Sequence, residues 1–586
     1  MIYDSDIQSS LIRIPEQLIH ILGIVYTHYK TSDNGDMYLT QFGLPYSDLL
    51  EIHNWYEKSW FESHRQRLEG TSAVYKVKTK TIGGRSLDLV VKNSRVGEDV
   101  PLDTHTILEF INAEFNSPWE EFAMVAEMRE STFGPDHISI KTQLPLAIYV
   151  PPETMQLWQS GRSAYKVNRI VNMHPGIDID ILKQYKLIYG WIDGRNAVEA
   201  FTDIGLSGPD LEISLAPLTK KAILDLDKKG YVVADMKPSH IIIESENIEK
   251  MNEIGIIANK GEKRNLSALE KQRVFIRELV ERGDYSIVDY ELLIRTPIYE
   301  EHVKNLRRHT YLDDQKNKFV PALLPEYLTG MEIFGVPYLF GHVESTGGLL
   351  WVVGKNPNLF DYFLPERWRK THHWKLSARN DVYYTITKDN INIVWKTSRV
   401  GEKPLLDETE DRVCRIVECG VNSPFEEFAI AVDLNNKGVP VVYVRAIYMT
   451  GSSKQEKTED FRHFETHAGL RCPDGRPILS PDHNYVSIRG YFNGSDEWVA
   501  EQVGQLCRPI DLAKVLHSET FTETEVKIMM DRVVRNLEAA GYDGSLLKLN
   551  DLLIAYDPKG DIIKDKDGLP EVRITNFEYI KRKVDL

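Results

Sequence analysis

Over residues 73–79 the chain alternates, with Tyr75 and Val77 apolar and Lys76 and Lys78 polar, which is the two-residue period of a half-buried strand. Gly83-Gly84 marks a turn. The run Leu87-Asp88-Leu89-Val90-Val91 predicts a second strand, ending at Lys92. A helix is expected from Ser117. Its hydroxyl suits the N-cap, Pro118 suits the first helical position, and Glu120 and Glu121 fall where carboxylates meet the positive end of the helix dipole. Residues 138–150 are mostly apolar and strand-like, 151–182 read as an insertion, and 185–192 form another strand closed by Asp193-Gly194. Helical spacing of apolar residues over 215–229 predicts an amphipathic helix that Gly230 closes. Beyond it lie Tyr231-Val232-Val233-Ala234-Asp235-Met236-Lys237-Pro238-Ser239-His240-Ile241-Ile242-Ile243, a charged helical stretch at about 262–282, and Tyr285-Ser286-Ile287-Val288-Asp289-Tyr290-Glu291.

This pattern recurs. Leu89-Val90-Val91-Lys92-Asn93-Ser94-Arg95-Val96-Gly97-Glu98 returns as Ile393-Val394-Trp395-Lys396-Thr397-Ser398-Arg399-Val400-Gly401-Glu402, and Asn116-Ser117-Pro118-Trp119-Glu120-Glu121-Phe122-Ala123 as Asn422-Ser423-Pro424-Phe425-Glu426-Glu427-Phe428-Ala429. The spacing is 304 positions from Lys92 to Lys396 and 306 from Glu121 to Glu427. A period this long is a whole domain copied, not a solenoid unit. The reading places one unit at residues 13–300, a linker at 301–321 and the second unit at 322–586.

Composition narrows the classes. With 586 residues, each unit is long enough for a well-buried core. A net charge of −16 argues against general affinity for nucleic acid or an anionic membrane surface. No apolar run reaches the length of a membrane span, and the start of the chain is acidic and polar, unlike a secretory signal. Cys414, Cys419, Cys472 and Cys507 all lie in the second copy, so a disulfide framework common to both is excluded and reduced thiols of a cytoplasmic protein are expected. His463, His467, Cys472 and His483 form a loose cluster with zinc-ligand chemistry, but the spacing fits no compact zinc motif and a polar loop insertion explains it as well.

The order of these segments resembles the protein kinase-like fold in both copies. Val90-Val91-Lys92 is similar to the lysine motif of the third strand, Glu121 to the glutamate of the following helix, Asp235-Met236-Lys237-Pro238 to the catalytic loop, and Val288-Asp289-Tyr290-Glu291 to the metal-binding Asp-Phe-Gly segment. The resemblance implies an α+β chain of two tandem protein kinase-like domains, each with a mostly antiparallel N-lobe sheet and a reduced helical C-lobe. It further implies ATP with magnesium or manganese as cofactor. Lys92 would meet the phosphates and Glu121, with Glu120 as a rival, would hold that lysine. Asp289 would bind the divalent ion, Asp235 would accept the proton of an attacking hydroxyl, and Lys237 would sit near the transferred group. Without the resemblance, a lysine at a strand end is a solvated cap and Asp235 is a turn residue.

Several residues depart from an active kinase. Only Gly70 stands where a glycine-rich loop is expected. His240 replaces the second metal-binding asparagine and is either a metal ligand, better suited to manganese, or a packed histidine. Glu291 replaces a glycine, and no Ala-Pro-Glu segment or long helical lobe follows it. In the second copy Leu546 aligns with Asp235, Lys548 with Lys237 and Asn576 with Asp289, while Lys396 and Glu427 remain. Leucine accepts no proton and a neutral amide is a poor ligand for a divalent ion, so that copy is expected to be catalytically dead. Two classes of function follow. One is a pseudokinase or nucleotide-binding sensor and scaffold with a protein partner and contact between the repeats. The alternative is an ATP-dependent phosphotransferase acting through the first copy on a small or unusual acceptor.

Overall fold

The computed structural model describes residues 17–68, 73–95, 115–154, 183–233, 236–259, 266–377, 381–400, 420–451, 467–492, 507–518, 520–557 and 559–583. The chain divides into two units at His302 and Val303. Both are mixed α+β, and each is built on an eight-stranded antiparallel sheet.

The first sheet contains β1 (Gln17–Ile21), β2 (Ile24–Lys30), β3 (Asp36–Leu39), β4 (Arg65–Arg67), β5 (Val74–Lys78) and β6 (Asp88–Asn93). After helix α1 (Pro118–Arg129) come β7 (Pro145–Val150) and β8 (Lys186–Gly190), and the sheet order is β1-β2-β3-β7-β8-β6-β5-β4. The run at 87–91 is apolar at consecutive positions because β6 is buried on both faces: Leu89, Val90 and Val91 are all nearly inaccessible. One face packs on α1. The other meets short helical turns at residues 44–64, not foreseen from the sequence, whose Leu50, Ile52 and Trp55 join Val77, Leu89 and Val91 in a single core.

Helix α1 starts as its sequence predicts. Ser117 Oγ accepts from the Glu120 amide and the Glu120 side chain accepts from the Ser117 amide, a reciprocal capping box with Pro118 following. Trp119, fully buried, is held edge-on between Tyr26 and Tyr38, with ring centroids 5.2 and 4.8 Å away. This clamp, worth about 1 kcal/mol per aromatic pair beyond burial, sets the rotation of the helix on the sheet.

A smaller part follows: β9 (Gly194–Asn196), α2 (Ala197–Asp203), α3 (Pro209–Lys229), β10 (Tyr231–Val233), β11 (Ile241–Glu244), α4 (Ser245–Asn259), α5 (Leu266–Arg282), β12 (Ser286–Ile287) and β13 (Leu293–Arg295), and then α6 (Pro297–Lys316), within which the division between the units falls. Two boundaries differ from expectation. Helix α3 begins at Pro209 and not at 215, because Pro217, a residue that usually stops a helix, is accommodated in its interior. Helix α4 was not foreseen, although Ile248 and Met251 bury one side of it. Gly230 ends α3 in the left-handed conformation with φ of 90°, as expected. Most of the expected linker is helical, within α6.

The second unit repeats the sheet strand for strand. Its strands are β14 (Thr329–Ile333), β15 (Val336–Val343), β16 (Gly348–Val353), β17 (His373–Lys375), β18 (Val382–Ile386), β19 (Asn392–Arg399), β20 (Val444–Met449) and β21 (Asn484–Gly490), in the order β14-β15-β16-β20-β21-β19-β18-β17. Helix α7 (Pro424–Asn436) carries the same capping box, on Ser423 and Glu426. The smaller part comprises β22 (Arg508–Asp511), α8 (Leu512–His517), α9 (Glu523–Ala539), β23 (Tyr542–Asp543), β24 (Leu552–Tyr556), β25 (Arg573–Ile574) and β26 (Lys581–Arg582). Registers agree too: Val74 lies opposite Lys92 and Val382 opposite Lys396, while Val90 faces Tyr189 and Val394 faces Arg489. Among the described residues no helix is long and apolar enough to cross a membrane.

Lys186, at the start of β8, tests the packing of the first sheet. It is 5% exposed, reaches Asn93 Oδ1 at 3.1 Å, and burial pushes its ammonium down to about 8. The unfolded chain holds this proton up to about pH 10.5, so folding releases it between those values and stability rises with pH there. In urea unfolding between pH 8 and 10, the native protein should gain about 2 kcal/mol relative to Lys186→Met.

Candidate functional site

Lys92 is brought into the interior by β6. With Val74 opposite it and Val90 two residues before it, it shares the α1-facing side of the sheet. The residue is only 6% exposed, and a buried ammonium requires counter-charges. Three carboxylates supply them. Lys92 Nζ lies 3.2 Å from Glu121 Oε1, 3.3 Å from Glu291 Oε1 and 3.5 Å from Asp289 Oδ1. Burial lowers the lysine's pKa, but Glu121, Glu291 and Asp289 outweigh it and hold the ammonium well above its ordinary value.

Each carboxylate has its own support. Glu121 comes from the first turn of α1 and accepts from Tyr189 Oη at 2.6 Å. Burial raises its pKa, with Glu291 adding to the effect, against Lys92 and the Tyr189 hydroxyl. Glu120 is used in the capping box, so the structure gives the lysine to Glu121. Asp289 follows β12 with a left-handed backbone of φ 70°, a conformation costing a non-glycine residue about 1 kcal/mol. Its side chain is 42% exposed, with Oδ2 3.6 Å from His240 Nε2. Burial raises its pKa, yet Lys92 and His240 bring it below the usual carboxylate value. Glu291 bridges two cations, Lys92 and Arg95, the latter at 3.6 Å.

The segment carrying Asp289 is positioned by Asn116, to which the sequence reading gave no role. Its side-chain amide donates to the Tyr290 and Leu293 carbonyls at 3.3 and 2.9 Å, and its own amide donates to the Glu291 carbonyl at 3.1 Å. Asn422 does the same for Phe577, Ile580 and Glu578. The repeated Asn-Ser-Pro was the available signal. Of the other expected residues, Lys237 is exposed just before the turn at Pro238–His240, and Asp235 lies outside the described residues, as does Gly70.

The second unit fills the same positions differently. Lys396 Nζ lies 2.5 Å from Glu578 Oε1 and 3.9 Å from Glu427 Oε1. Where the first unit has Tyr189, Arg489 pairs with Glu427 and also donates to the Thr575 carbonyl. Leu546 is buried and Lys548 exposed, and the Lys548 amide donates to Asp551 Oδ2 at 2.8 Å. Asp551 follows Lys548 by the three residues that separate His240 from Lys237, so it is the counterpart of His240. Leu546 and Asn576 carry no charge, as expected, and Asp551 adds a carboxylate to which the sequence reading gave no role. The carboxylate stands at the other position of the pair: Asp289 beside His240 in one unit, Asp551 beside Asn576 in the other. Asn576 Nδ2 donates to Asp551 Oδ1 at 3.0 Å, and burial raises the pKa of Asp551.

The loose histidine and cysteine cluster does not converge among the described residues. His467 Nε2 lies 2.8 Å from Ser423 Oγ, His483 Nδ1 lies 2.7 Å from the Thr450 carbonyl, and Cys472 is buried, while His463 lies outside. Cys472 and Cys507 are free thiols, and Cys414 and Cys419 lie outside the described residues. Among the described residues no three His, Cys, Asp or Glu side chains are grouped to hold a metal ion. The chain matches no protein-family model and no curated protein.

The two units should differ in their sensitivity to the third group on the helix glutamate. Tyr189→Phe removes one neutral donor from Glu121 and should cost about 1–2 kcal/mol of unfolding free energy. Arg489→Met removes the charge paired with fully buried Glu427 and should cost about 3–5 kcal/mol. Chemical denaturation with a probe in each unit separates the two effects.

Proposed function

We propose that the first unit is a protein kinase-like nucleotide-binding domain, that the second is its degenerate, non-catalytic copy, and that the chain acts as a nucleotide sensor or scaffold. The observation that carries this reading is the convergence of Lys92, Glu121 and Asp289 within 3.5 Å, from a strand, a helix and a loop in the order that the resemblance requires. The lysine is held by a helix carboxylate, and an aspartate with an accessible oxygen stands beside it.

The residues present fit a divalent ion that arrives with its nucleotide. Magnesium in such sites takes one or two protein carboxylates and completes its shell with phosphate oxygens and water. Asp289, 42% exposed and next to the His240 imidazole, offers that partial set, which accords with the lack of a three-ligand group among the described residues. When bound, the ion would screen the negative charge of the phosphates. Lys92 would then orient the phosphate group from the sheet side, and Glu121 and Tyr189 would fix the lysine. In the second unit both Asp551 oxygens accept hydrogen bonds and Lys396 and Arg489 are each engaged by a glutamate, which supports a non-catalytic role.

Turnover through the first unit, phosphotransfer to a small or unusual acceptor, is the second reading. Its support is the accessible Asp289 carboxylate together with exposed Lys237 just before the turn at Pro238–His240. Release of ADP in the presence of manganese selects this reading, and binding without ADP release selects the sensor.

ATP with magnesium or manganese, at about one hundred times its dissociation constant, should stabilise the protein by about 2.7 kcal/mol, or about 5 °C in melting temperature. Lys92→Met and Asp289→Ala should each abolish the shift, whatever they do to the melting temperature without ligand. Lys396→Met should leave it intact. A shift that survives Lys92→Met refutes the assignment.

A further inference from the structure

We propose that Glu291 is a built-in counter-anion of the first cleft, occupying the cations that an incoming multivalent anion must reach, so that Glu291 has to withdraw for such a ligand to bind. This rests on the reading of the cleft as phosphate-binding and adds a gate that the reading does not contain.

The geometry supports it in three ways. First, an ammonium has three protons, and Lys92 already faces three carboxylates within 3.5 Å, so an added anion must displace one of them. Second, the three differ in freedom. Glu121 is pinned by Tyr189 at 2.6 Å on a capped helix, and Asp289 has a short side chain on a left-handed backbone. Glu291 has the longer side chain, and the segment that carries it is held at the backbone by the Asn116 amide on its carbonyl, so the carboxylate can be displaced by rotation of its own side-chain bonds without moving the segment. Third, one Glu291 oxygen faces Lys92 at 3.3 Å and the other faces Arg95 at 3.6 Å, so a single carboxylate spans two cations as a phosphate group would.

The second unit supplies an independent instance. Asp289-Tyr290-Glu291 and Asn576-Phe577-Glu578 differ at the first two positions and agree at the third, and Glu578 again meets the strand lysine, at 2.5 Å. The same position is therefore filled twice by a carboxylate aimed at the same cation. Exchanging a resident monovalent carboxylate for another monovalent anion brings little gain. A di- or triphosphate brings more charge than it displaces, so the device selects multivalent phosphate-type anions over monovalent ones.

The test is calorimetric titration of the full chain with two probes, manganese–ATP and inorganic pyrophosphate. Glu291→Gln should bind both about tenfold more tightly than the native protein, and the gain should vanish in Glu291→Gln combined with Lys92→Met. Glu291→Asp, which keeps the charge but shortens the side chain, should fall between, and it serves as the test variant if Glu291→Gln shows no cooperative melting. Equal or weaker binding by the Glu291 variants, with the native protein binding ATP, overturns the counter-anion and leaves the nucleotide reading intact. Tighter pyrophosphate binding by Glu291→Gln with no ATP binding to either protein does the reverse. Binding of neither probe to any of the proteins sinks both.

Discussion

A lysine buried in a sheet cannot stand alone, and much of each unit follows from that constraint. The hydration lost by a buried ammonium is worth several kcal/mol and must be replaced by groups delivered from elsewhere. For Lys92 they come from α1 and from the loop after β12, so one charge ties together a strand, a helix and a loop distant in sequence. The supporting features serve that junction. The aromatic clamp on Trp119 sets the helix, the capping box fixes its start, Tyr189 fills the second acceptor demand of Glu121, and Asn116 holds the loop.

Duplication shows which parts of this arrangement are interchangeable. The capping box, the asparagine that holds the loop, the strand lysine, the helix glutamate and the second glutamate recur in both units. What varies is the manner of neutralisation. Around Lys92 there are two cations, Lys92 and Arg95, against Glu121, Asp289 and Glu291, with one carboxylate partly accessible. Around Lys396, Arg489 takes Glu427 and leaves Glu578 to the lysine. Where the first unit has His240 and Asp289 the second has Asp551 and Asn576, and there the amide donates to the carboxylate so that the pair closes on itself.

Legibility in the sequence was uneven, for physical reasons. Elements with strong local chemistry were plain: Ser117-Pro118 at a helix start, Gly230 at a helix end, Gly83-Gly84 in a turn and the apolar run ending at Lys92. Glu120 and Glu121 both recur, as Glu426 and Glu427, so the repeat did not choose between them, but that a glutamate of the following helix meets Lys92 was legible from the resemblance. The role of Asn116 was not, because its acceptors are backbone carbonyls, and every residue has one. Asp551 was missed because the comparison was made at the aspartates of the first copy, and there the second copy shows only a leucine and an amide. The helical turns over the back of the first sheet and helix α4 were missed because short or moderately amphipathic segments have little periodicity to read.

By itself the sequence determined the duplication, the α+β class, the local starts and stops and the residue types available for a charged site, since these rest on nearest-neighbour sterics and on polar patterning. Only the tertiary structure decided the order of the eight strands, the choice of Glu121 over Glu120, the third carboxylate on Lys92 and the change of the carboxylate's position between the units. Those depend on distances of a few ångströms between segments that are not neighbours in the chain, such as Lys92 and Glu121 or Asp551 and Asn576, and no local preference encodes which buried charge will meet which.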